Sequence, residues 1–288
     1  MRPVRVANRT IGADEPVWIV AEIGINHNGS VEQACQLIAA AAAAGAHAVK
    51  FQKRTVDLVY TAAELAQPRE SVFGTTNGDL KRGLELGFDE YAAIDRECRG
   101  RGLAWFASCW DEPSVEFLER FDPPCYKIAS PCLTDHELLR RHRKTGRPLL
   151  LSTGMSTTDQ IDEAVAVLGK EDLVLMHCTS SYPSKAAELN LKAIPELAKR
   201  HGVPVGYSGH EVGLATTVAA VTLGAAVVER HLTLDRALWG SDQAASVEPQ
   251  GFARLVKDIT AVEVALGDGV KRVYESEKPA MRKLRRVL

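Results

Sequence analysis

The sequence lacks the patterns that mark three large classes of protein. Its longest apolar run, residues 37–44, is far shorter than the ~18 residues that a membrane span needs. The formal net charge is −2, so there is no excess of basic residues that would indicate binding to nucleic acid or to an anionic membrane. The first five residues contain no signal-peptide core, and a cytoplasmic location is therefore expected.

Two further motifs are missing. None of the six cysteines belongs to a Cys-x-x-Cys pair, which argues against a zinc knuckle and against a dithiol redox site. A chain of 288 residues that is not cross-linked by disulfide bonds suits a reducing compartment. The sequence also has no Gly-x-Gly-x-x-Gly fingerprint, so nothing supports the open, doubly wound dinucleotide-binding sheet that is the main alternative fold.

The chain does contain a unit that is repeated eight times. Each unit consists of a short apolar strand, a polar residue at the C-terminal end of that strand, and a helix. This alternation predicts parallel strands joined by right-handed crossovers. Eight units in about 250 residues predict a single-domain α/β fold, the TIM (β/α)8 barrel. The predicted strands are residues 17–23, 48–52, 104–109, 126–130, 149–153, 173–178, 203–208 and 227–232.

Three segments fall outside this rhythm. Residues 1–16 are predicted to form an N-terminal cap or hairpin at the barrel floor, below a catalytic barrel of residues 17–270. Residues 271–288 are basic and are expected to be a solvated tail. Residues 54–88 form a long insertion, which in a compact domain is usually a lid or disordered.

The barrel fold would gather all eight strand ends in one mouth, where such barrels carry their chemistry. Lys50 and Lys127 each end a strand, and a lysine there is costly to bury without an anion. With the hydroxyl groups of Ser130, Ser152 and Ser208 they would form a cradle for a phosphate and a carboxylate. The alternative is that each lysine pairs with a structural carboxylate.

His210 and His231 end the last two strands. Neutral imidazole is a common ligand of divalent metals, and two histidines leave room for water and substrate, which suits a Lewis acid. Glu211 and Glu229 are predicted to orient the two rings. The alternative is that both histidines are hydrogen-bonded scaffold.

Glu22 lies near the end of the first strand and should face the mouth. A carboxylate there can transfer a proton or stabilise a cationic intermediate. The alternative is an ion pair with Lys50 from the neighbouring strand, which is compatible with catalysis.

Several motifs together resemble the sialic acid (N-acetylneuraminate) synthase family, in order and over roughly residues 17–279. The segments are IVAEIGINHNG from Ile19, KFQK from Lys50, YKIAS from Tyr126, LSTGM from Leu151, HCT from His177, GYSGHE from Gly206, ERH from Glu229 and GSD from Gly240.

This resemblance implies a TIM barrel that condenses phosphoenolpyruvate with an aldose, N-acetylmannosamine or a relative. The products are a nonulosonic acid and phosphate, and the cofactor is a divalent metal ion, foremost Mn²⁺, with Mg²⁺ or Co²⁺ as alternatives. A homodimer is also implied. By position in the motifs, His210 and His231 would hold the metal, Glu22 would be catalytic, Lys50, Lys127, Ser130, Ser152, Ser180 and Ser208 would bind phosphoenolpyruvate, and Gln52, Tyr182 and Asp242 would face the acceptor sugar.

The sequence also departs from the family pattern. Cys109 replaces a threonine, Cys132 replaces an acidic residue, and Ser180 replaces a common asparagine. The acidic residue is expected to contact the acceptor, so its loss leaves the identity of the acceptor open. The printed sequence ends without the family's small antifreeze-like domain. Either a separate antifreeze-like protein supplies it, or the acceptor needs no such grip, or the chain continues.

Three alternative functions follow from these departures and from the lysines. The barrel could use a different acceptor sugar, or it could be a non-catalytic binding or regulatory relative. A Schiff-base aldolase that uses Lys50 or Lys127 is the third.

Overall fold

Eight parallel strands close into a barrel in the computed structural model, which describes residues 2–287. Each strand lies beside its neighbour in the sequence, and the last strand pairs with the first. The barrel strands are β3 (Trp18–Gly24), β4 (Ala48–Lys53), β7 (Ala104–Cys109), β8 (Tyr126–Ile128), β9 (Leu149–Ser152), β10 (Leu173–Cys178), β11 (Val205–Gly209) and β12 (Val227–His231). The predicted TIM barrel is confirmed, and the strand limits differ from the predicted ones by at most two residues.

The largest differences are at the start of β11 and the end of β8. Strand β8 stops at Ile128, and Ser130–Cys132 forms a 3₁₀ turn that contains Pro131. Proline has no N–H to donate to a neighbouring strand, so the chain leaves the sheet earlier than its apolar pattern predicts.

Helices follow the strands and cover the outside of the barrel. In the first of them, the hydroxyl of Ser30 accepts a hydrogen bond from the N–H of Gln33, and the buried positions recur at helical spacing. The covering helices are α1 (Val31–Ala43), α5 (Phe88–Gly100), α6 (Glu112–Glu119), α7 (His136–Arg143), α8 (Thr158–Leu168), α9 (Ala193–His201), α10 (Ala215–Thr222) and α11 (Pro249–Leu266).

The lower half of the barrel is an apolar plug. The antiparallel hairpin of β1 (Val4–Val6) and β2 (Arg9–Ile11) buries its apolar side chains in one cluster with the inward-facing side chains of the strands. Within that cluster the rings of Trp18 and Phe106 stack with centroids 5.5 Å apart. Water is therefore excluded from the floor, and polar groups are left to the upper half.

The insertion at residues 54–88, for which the sequence left a lid or a disordered segment as alternatives, is ordered, and the disordered alternative is wrong. It contains α2 (Val56–Val59), α3 (Ala62–Leu65), the hairpin of β5 (Pro68–Ser71) and β6 (Gly74–Thr76), and α4 (Asn77–Leu84). Capping boxes at Thr61 and Thr76 start two of these helices. The ammonium group of Lys53, which donates to Glu85 at 3.1 Å, ties the insertion to the barrel.

The C-terminal segment after α11 contains the short helix α12 (Lys278–Leu284), which buries no side chain. Met1 and Leu288, the outermost residues of the predicted cap and tail, lie outside the described residues. Within residues 2–287, no helix combines the length and the apolar character that crossing a membrane requires.

Replacing Gly83 with alanine should loosen the insertion, because the new methyl group would overlap the ring of Phe73. We expect the free energy of unfolding to fall by about 1–3 kcal/mol, as for other overpacked sites. Urea unfolding measures this, and limited proteolysis reports cleavage within residues 54–88. Gly100 also lies in a helix, but its surroundings within 4 Å are open, so Gly100→Ala is the matched control. Equal protease resistance of the two variants would contradict the expectation.

Candidate active site

The C-terminal mouth of the barrel holds a cavity of about 280 Å³. Most of the residues predicted from the sequence line it: Glu22, Lys50, Gln52, Lys127, Ser130, Ser152, Ser180, Tyr182, Ser208, His210 and His231. Asp242 lies at its edge, with Oδ2 3.7 Å from Nδ1 of His231. The fold therefore brings the predicted residues together, while their individual roles stay predictions.

Lys50 lies at the centre of a buried charge cluster. Its Nζ is 2.9 Å from Oε1 of Glu22 and 3.7 Å from Oε1 of Glu229, and it donates to Oγ of Ser108 at 3.0 Å. The three charged side chains are at most 4% exposed. Burial of this kind is tolerated only when every charge has a counter-charge and its hydrogen bonds.

Lys127 completes the cluster from the opposite side. Its Nζ donates to both carboxylate oxygens of Glu229, at 2.9 and 3.1 Å, and the hydroxyl of Ser208 donates to the same carboxylate at 3.1 Å. Each lysine therefore does have a carboxylate partner, as the structural alternative predicted. The pairing also holds both ammonium groups in the cavity, where an incoming anion can reach them.

The two carboxyl groups of the cluster differ in proton affinity. Burial raises the pKa of Glu22 to about 7. The ammonium group of Lys50 lowers this pKa, whereas repulsion from Glu229 raises it further. Burial would also raise the pKa of Glu229, but Lys127 and Lys50 together outweigh it and lower that pKa to about 2. Oε2 of Glu22 is buried without a hydrogen-bond partner. Glu22 is thus suited to exchange a proton near neutral pH, whereas Glu229 is a permanent anion.

The side-chain amide of Gln52 has its orientation set from both sides. Its Nε2 donates to Oε1 of Glu22 at 3.0 Å, and its Oε1 accepts from the guanidinium of Arg54. Arg54 is itself held by the hydroxyl of Tyr60 and lies 4.7 Å from the ring centroid of Trp110. Gln52 therefore presents N–H groups, and not its carbonyl, toward Glu22 and the mouth.

The rings of His210 and His231 are neighbours, with centroids 5.3 Å apart and planes inclined at 60°. Burial lowers the pKa of each to about 4, so both imidazoles are neutral at pH 7. Nδ1 of His210 donates to the carbonyl oxygen of Thr179 at 2.9 Å, which leaves the lone pair on Nε2 free. Nδ1 of His231 is buried and has no hydrogen-bond partner.

The prediction that Glu211 and Glu229 orient these rings is wrong. Glu211 lies outside the mouth, where it pairs with Arg230 at 3.0 Å and accepts from Tyr207 at 2.8 Å. Glu229 is occupied by the two lysines and Ser208. An arginine and two lysines bind the carboxylates more strongly than a neutral imidazole would, because those groups carry a full charge.

Within residues 2–287, no group of three or more His, Cys, Asp or Glu side chains is arranged to hold a metal on its own. Two neutral nitrogen donors are nevertheless adjacent, and one ring carries an unsatisfied Nδ1. This donor set fits an open metal site in which water or substrate oxygen supplies the remaining ligands. The residues present therefore fit the divalent metal that the resemblance implies.

Ser108 is a site residue that the sequence reasoning missed. It pairs with Lys127 across the sheet and turns its hydroxyl into the mouth. Its neighbour Cys109 points the other way, is fully buried, and donates from Sγ to the carbonyl of Ser114 at 3.4 Å. Cys132 lies in the apolar cluster outside the barrel. Neither substituted cysteine lines the mouth. Side chains alternate along a strand, so Cys109 lies on the same outer face as the apolar Ala107, and this alternation would have shown its direction.

The model of the NeuB family matches residues 37–271. The chain belongs to the NeuB family. Over 281 residues this NeuB-family chain is 38% identical to N-acetylneuraminate-9-phosphate synthase of Homo sapiens, a match that covers 96% of this chain and 78% of the human protein. It is 34% identical over 285 residues to N,N'-diacetyllegionaminic acid synthase of Legionella pneumophila, with coverage of 96% and 80%.

Among solved structures, the chain is similar to the sialic acid synthetase of Leptospira borgpetersenii. The TM-score is 0.87 at 30% identity, and the match covers 99% of this chain and 98% of that one. The predicted family is therefore confirmed, and so is the prediction that the chain is a carbon–carbon bond-forming transferase of the synthase type.

Replacing Glu22 with glutamine should stabilise the folded chain at alkaline pH. Because burial raises the pKa of Glu22 from 4.5 to about 7, the folded state favours the protonated form. The stability from that group is present below pH 4.5 and is lost as the pH rises through 7. The gain in the free energy of unfolding from Glu22→Gln should therefore grow between about pH 5 and about pH 8.

Glu229→Gln is the matched control for that experiment. With a pKa near 2, the stability that Glu229 contributes is complete above pH 4.5 and is lost only as the pH falls toward 2. The variant should therefore lose a constant amount of stability over the same range. Parallel pH profiles for the two variants, measured by chemical unfolding, would contradict the assignment of the two carboxyl groups.

Proposed function

We propose that this NeuB-family chain condenses phosphoenolpyruvate with an aldose to give a nonulosonic acid and phosphate. The observation that carries the proposal is the pairing of two buried lysines with hydroxyl groups on one side of the mouth and two neutral imidazoles on the other. The first set suits a substrate with a phosphate and a carboxylate, and the second suits a metal beside an aldehyde oxygen. The synthase names of the relatives support the same reaction.

Phosphoenolpyruvate is proposed to bind to Lys50 and Lys127, with Ser130, Ser152, Ser180 and Ser208 as hydroxyl donors. The hydroxyl groups of Ser130 and Ser180 converge on the backbone of Gly154, where a Cβ atom would overlap both. A side chain at this position would displace both hydroxyl groups, so the glycine lets them stay at the edge of the mouth. Charged donors and hydroxyls together hold the anion in one orientation, which is an entropic contribution to the rate.

The residues then have separate tasks in the reaction. Carbon 3 of phosphoenolpyruvate attacks the aldehyde carbon, a carbon–carbon bond forms, and the aldehyde oxygen takes a proton and becomes a hydroxyl. Water adds to the cationic carbon 2 and loses a proton, and the tetrahedral intermediate expels phosphate by carbon–oxygen cleavage. Glu22, with its pKa of about 7, can move one of these protons and, when ionised, stabilise the cation.

We infer that His210 and His231 hold a divalent metal, foremost Mn²⁺, with Mg²⁺ and Co²⁺ as alternatives. A divalent metal held by these two imidazoles would supply Lewis-acid polarisation of the aldehyde. Asp242 is near enough to His231 to orient that ring, and the ring of Tyr182 lies 4.2 Å from that of His210. Gln52, Tyr182 and Asp242 are proposed to face the acceptor sugar.

The assembly and the location of the chain also stay proposals. We propose a homodimer in the cytoplasm, with a separate antifreeze-like protein as a further partner. Light scattering of the purified chain measures its oligomeric state. Acceleration of turnover by an added antifreeze-like protein would support the second partner, and an unchanged rate would count against it.

Phosphate release from phosphoenolpyruvate should require both an aldose and a divalent metal. We expect His231→Ala to lower the rate by at least about 100-fold, because it removes one of the two proposed ligands. His136→Ala, at the start of helix α7 on the outside of the barrel, is the control and should keep the wild-type rate. Full turnover after exhaustive chelation would refute the metal role.

Two other results would favour the alternative functions. Tight phosphoenolpyruvate binding without product over a panel of hexosamines and neutral aldoses would favour the non-catalytic alternative. A borohydride-trapped pyruvate adduct would favour the Schiff-base aldolase.

Ser108→Ala and Cys109→Ala should have different effects, because Ser108 lines the mouth and Cys109 lies in the barrel wall. Loss of the Ser108 hydroxyl removes a partner of Lys50 and should raise the KM for phosphoenolpyruvate by about tenfold. The thiol of Cys109 donates to the carbonyl oxygen of Ser114 and does not line the mouth cavity, so its replacement should lower thermal stability and leave the KM values of both substrates unchanged. A change of acceptor preference in Cys109→Ala would contradict this division.

A further inference from the structure

The two histidines of the mouth lie just beyond the paired part of their strands. Strands β11 and β12 are in register at three positions, the last of which pairs Gly209 with Arg230. His210 and His231 come one residue later, so the ladder between the two strands ends before it reaches them. Contacts other than the ladder therefore set the distance of 5.3 Å between the two ring centroids.

An ion pair joins the two strands at this point, on the outer side of the sheet. Arg230 directly precedes His231, and Glu211 directly follows His210. Nη1 of Arg230 lies 3.0 Å from Oε1 of Glu211, and Nη2 donates to the main-chain carbonyl oxygen of Glu211 at 2.6 Å. One guanidinium group thus binds both the side chain and the backbone of the residue next to His210.

The ion pair is buried and has further partners. The side chain of Arg230 is 1% exposed and that of Glu211 is 3% exposed. The hydroxyl of Tyr207 donates to Oε2 of Glu211 at 2.8 Å, and the hydroxyls of Thr216 and Thr217 in helix α10 donate to Oε1 at 2.9 and 2.8 Å. A planar guanidinium that binds several acceptors at once has little freedom to move, so the pair is a rigid link between the two strand ends.

Gly209 leaves the space that this ion pair occupies. A Cβ atom at position 209 would lie 2.6 Å from Oε2 of Glu211 and 3.0 Å from Cδ of Arg230. Even an alanine would therefore collide with the pair. The backbone of β11 approaches the pair closely at the residue that immediately precedes His210.

His210 is also held from the side of β10. Its main-chain carbonyl oxygen accepts from the N–H of Ser184 at 3.0 Å, and its Nδ1 donates to the carbonyl oxygen of Thr179 at 2.9 Å. These two contacts fix His210 to the loop after β10, and the ion pair supplies the link toward His231. Neither Arg230 nor Glu211 lines the mouth, so any effect on the imidazoles is transmitted through the backbone.

We propose that the Arg230–Glu211 ion pair sets the separation of the two imidazoles and thereby the affinity of the mouth for a divalent metal ion. Both are positioning residues that act through the chain and do not orient a ring by contact. The inference rests on the proposed metal role of His210 and His231 and adds the structure that holds them in place. Ligands that are already positioned bind a metal more tightly, because less free energy is lost in bringing them together.

Binding of Mn²⁺ to the purified chain, measured by electron paramagnetic resonance without substrates, tests the proposal. Arg230→Lys keeps the charge and removes the planar fork, whereas Glu211→Gln keeps the shape and removes the charge. Each should raise the Kd for Mn²⁺ by about tenfold or more, which is usual when the support of a metal ligand is lost. Tyr207→Phe removes one hydrogen bond of the pair and should raise the Kd by about two- to fivefold. This milder variant decides the question if the other two do not fold.

Glu119→Gln is the matched control. The carboxylate of Glu119 likewise accepts from a strand tyrosine, Tyr126, at 2.6 Å and pairs with an arginine, Arg147, at 3.1 Å, but it is not adjacent to either histidine. Its replacement should lower stability and leave the Kd for Mn²⁺ unchanged. The absorption bands of bound Co²⁺ are a second measurement, because they report the geometry of the ligands and not the stability of the fold. They should shift in Glu211→Gln and stay unchanged in Glu119→Gln.

The metal role and the positioning inference can fail separately. Folded variants of Arg230, Glu211 and Tyr207 that bind Mn²⁺ as tightly as the wild type would overturn the inference and leave the metal role intact. If the wild type binds no divalent metal, the metal role fails, and crystal structures of the metal-free chains decide the inference alone. The ring centroids of His210 and His231 should then lie farther apart in Glu211→Gln than in the wild type. Wild-type spacing in that variant would refute the inference.

Discussion

The buried cluster of Glu22, Lys50, Glu229 and Lys127 is the interaction on which the rest of the mouth depends. The four side chains are at most 4% exposed, and removal of Glu229 would leave the ammonium group of Lys127 without a counter-charge at a cost of several kcal/mol. The partners come from strands β3, β4, β8 and β12, and the register places Glu22 opposite both Lys50 and His231. A slip of one residue in any of these strands would turn its charge toward the helices.

The apolar plug below the cluster explains its electrostatic asymmetry. Because the N-terminal hairpin and the inward-facing Trp18 and Phe106 exclude water from the floor, the carboxyl groups are solvated only by their neighbours. Glu229 has two ammonium groups and stays ionised, whereas Glu22 has one and holds its proton near neutral pH. One fold thereby provides a permanent anion that fixes the lysines and a second carboxyl group that can exchange a proton.

Much of the fold and of the site was predictable, because both follow from local patterns. The alternation of apolar strand and helix predicts the barrel, and the polar residues at the strand ends predict which side chains line the mouth. The errors concern which way a side chain points from its strand and which group a carboxylate pairs with. Cys109 was expected to affect the acceptor side, but the alternation of the strand turns Ser108 inward instead. Glu211 was expected to orient a histidine, but Arg230 and Tyr207 bind it outside the mouth.

The sequence by itself determined the barrel, its family and the residues that share the mouth, since periodicity and motif order are local properties of the chain. Only the tertiary structure decided which carboxyl group is ionised, because the pKa of Glu22 depends on burial and on Glu229, some 200 residues away. It also decided that residues 54–88 are ordered and that they enclose a cavity with the loop that carries Trp239. Such a cavity is formed by segments distant in sequence, and no local pattern specifies the space between them.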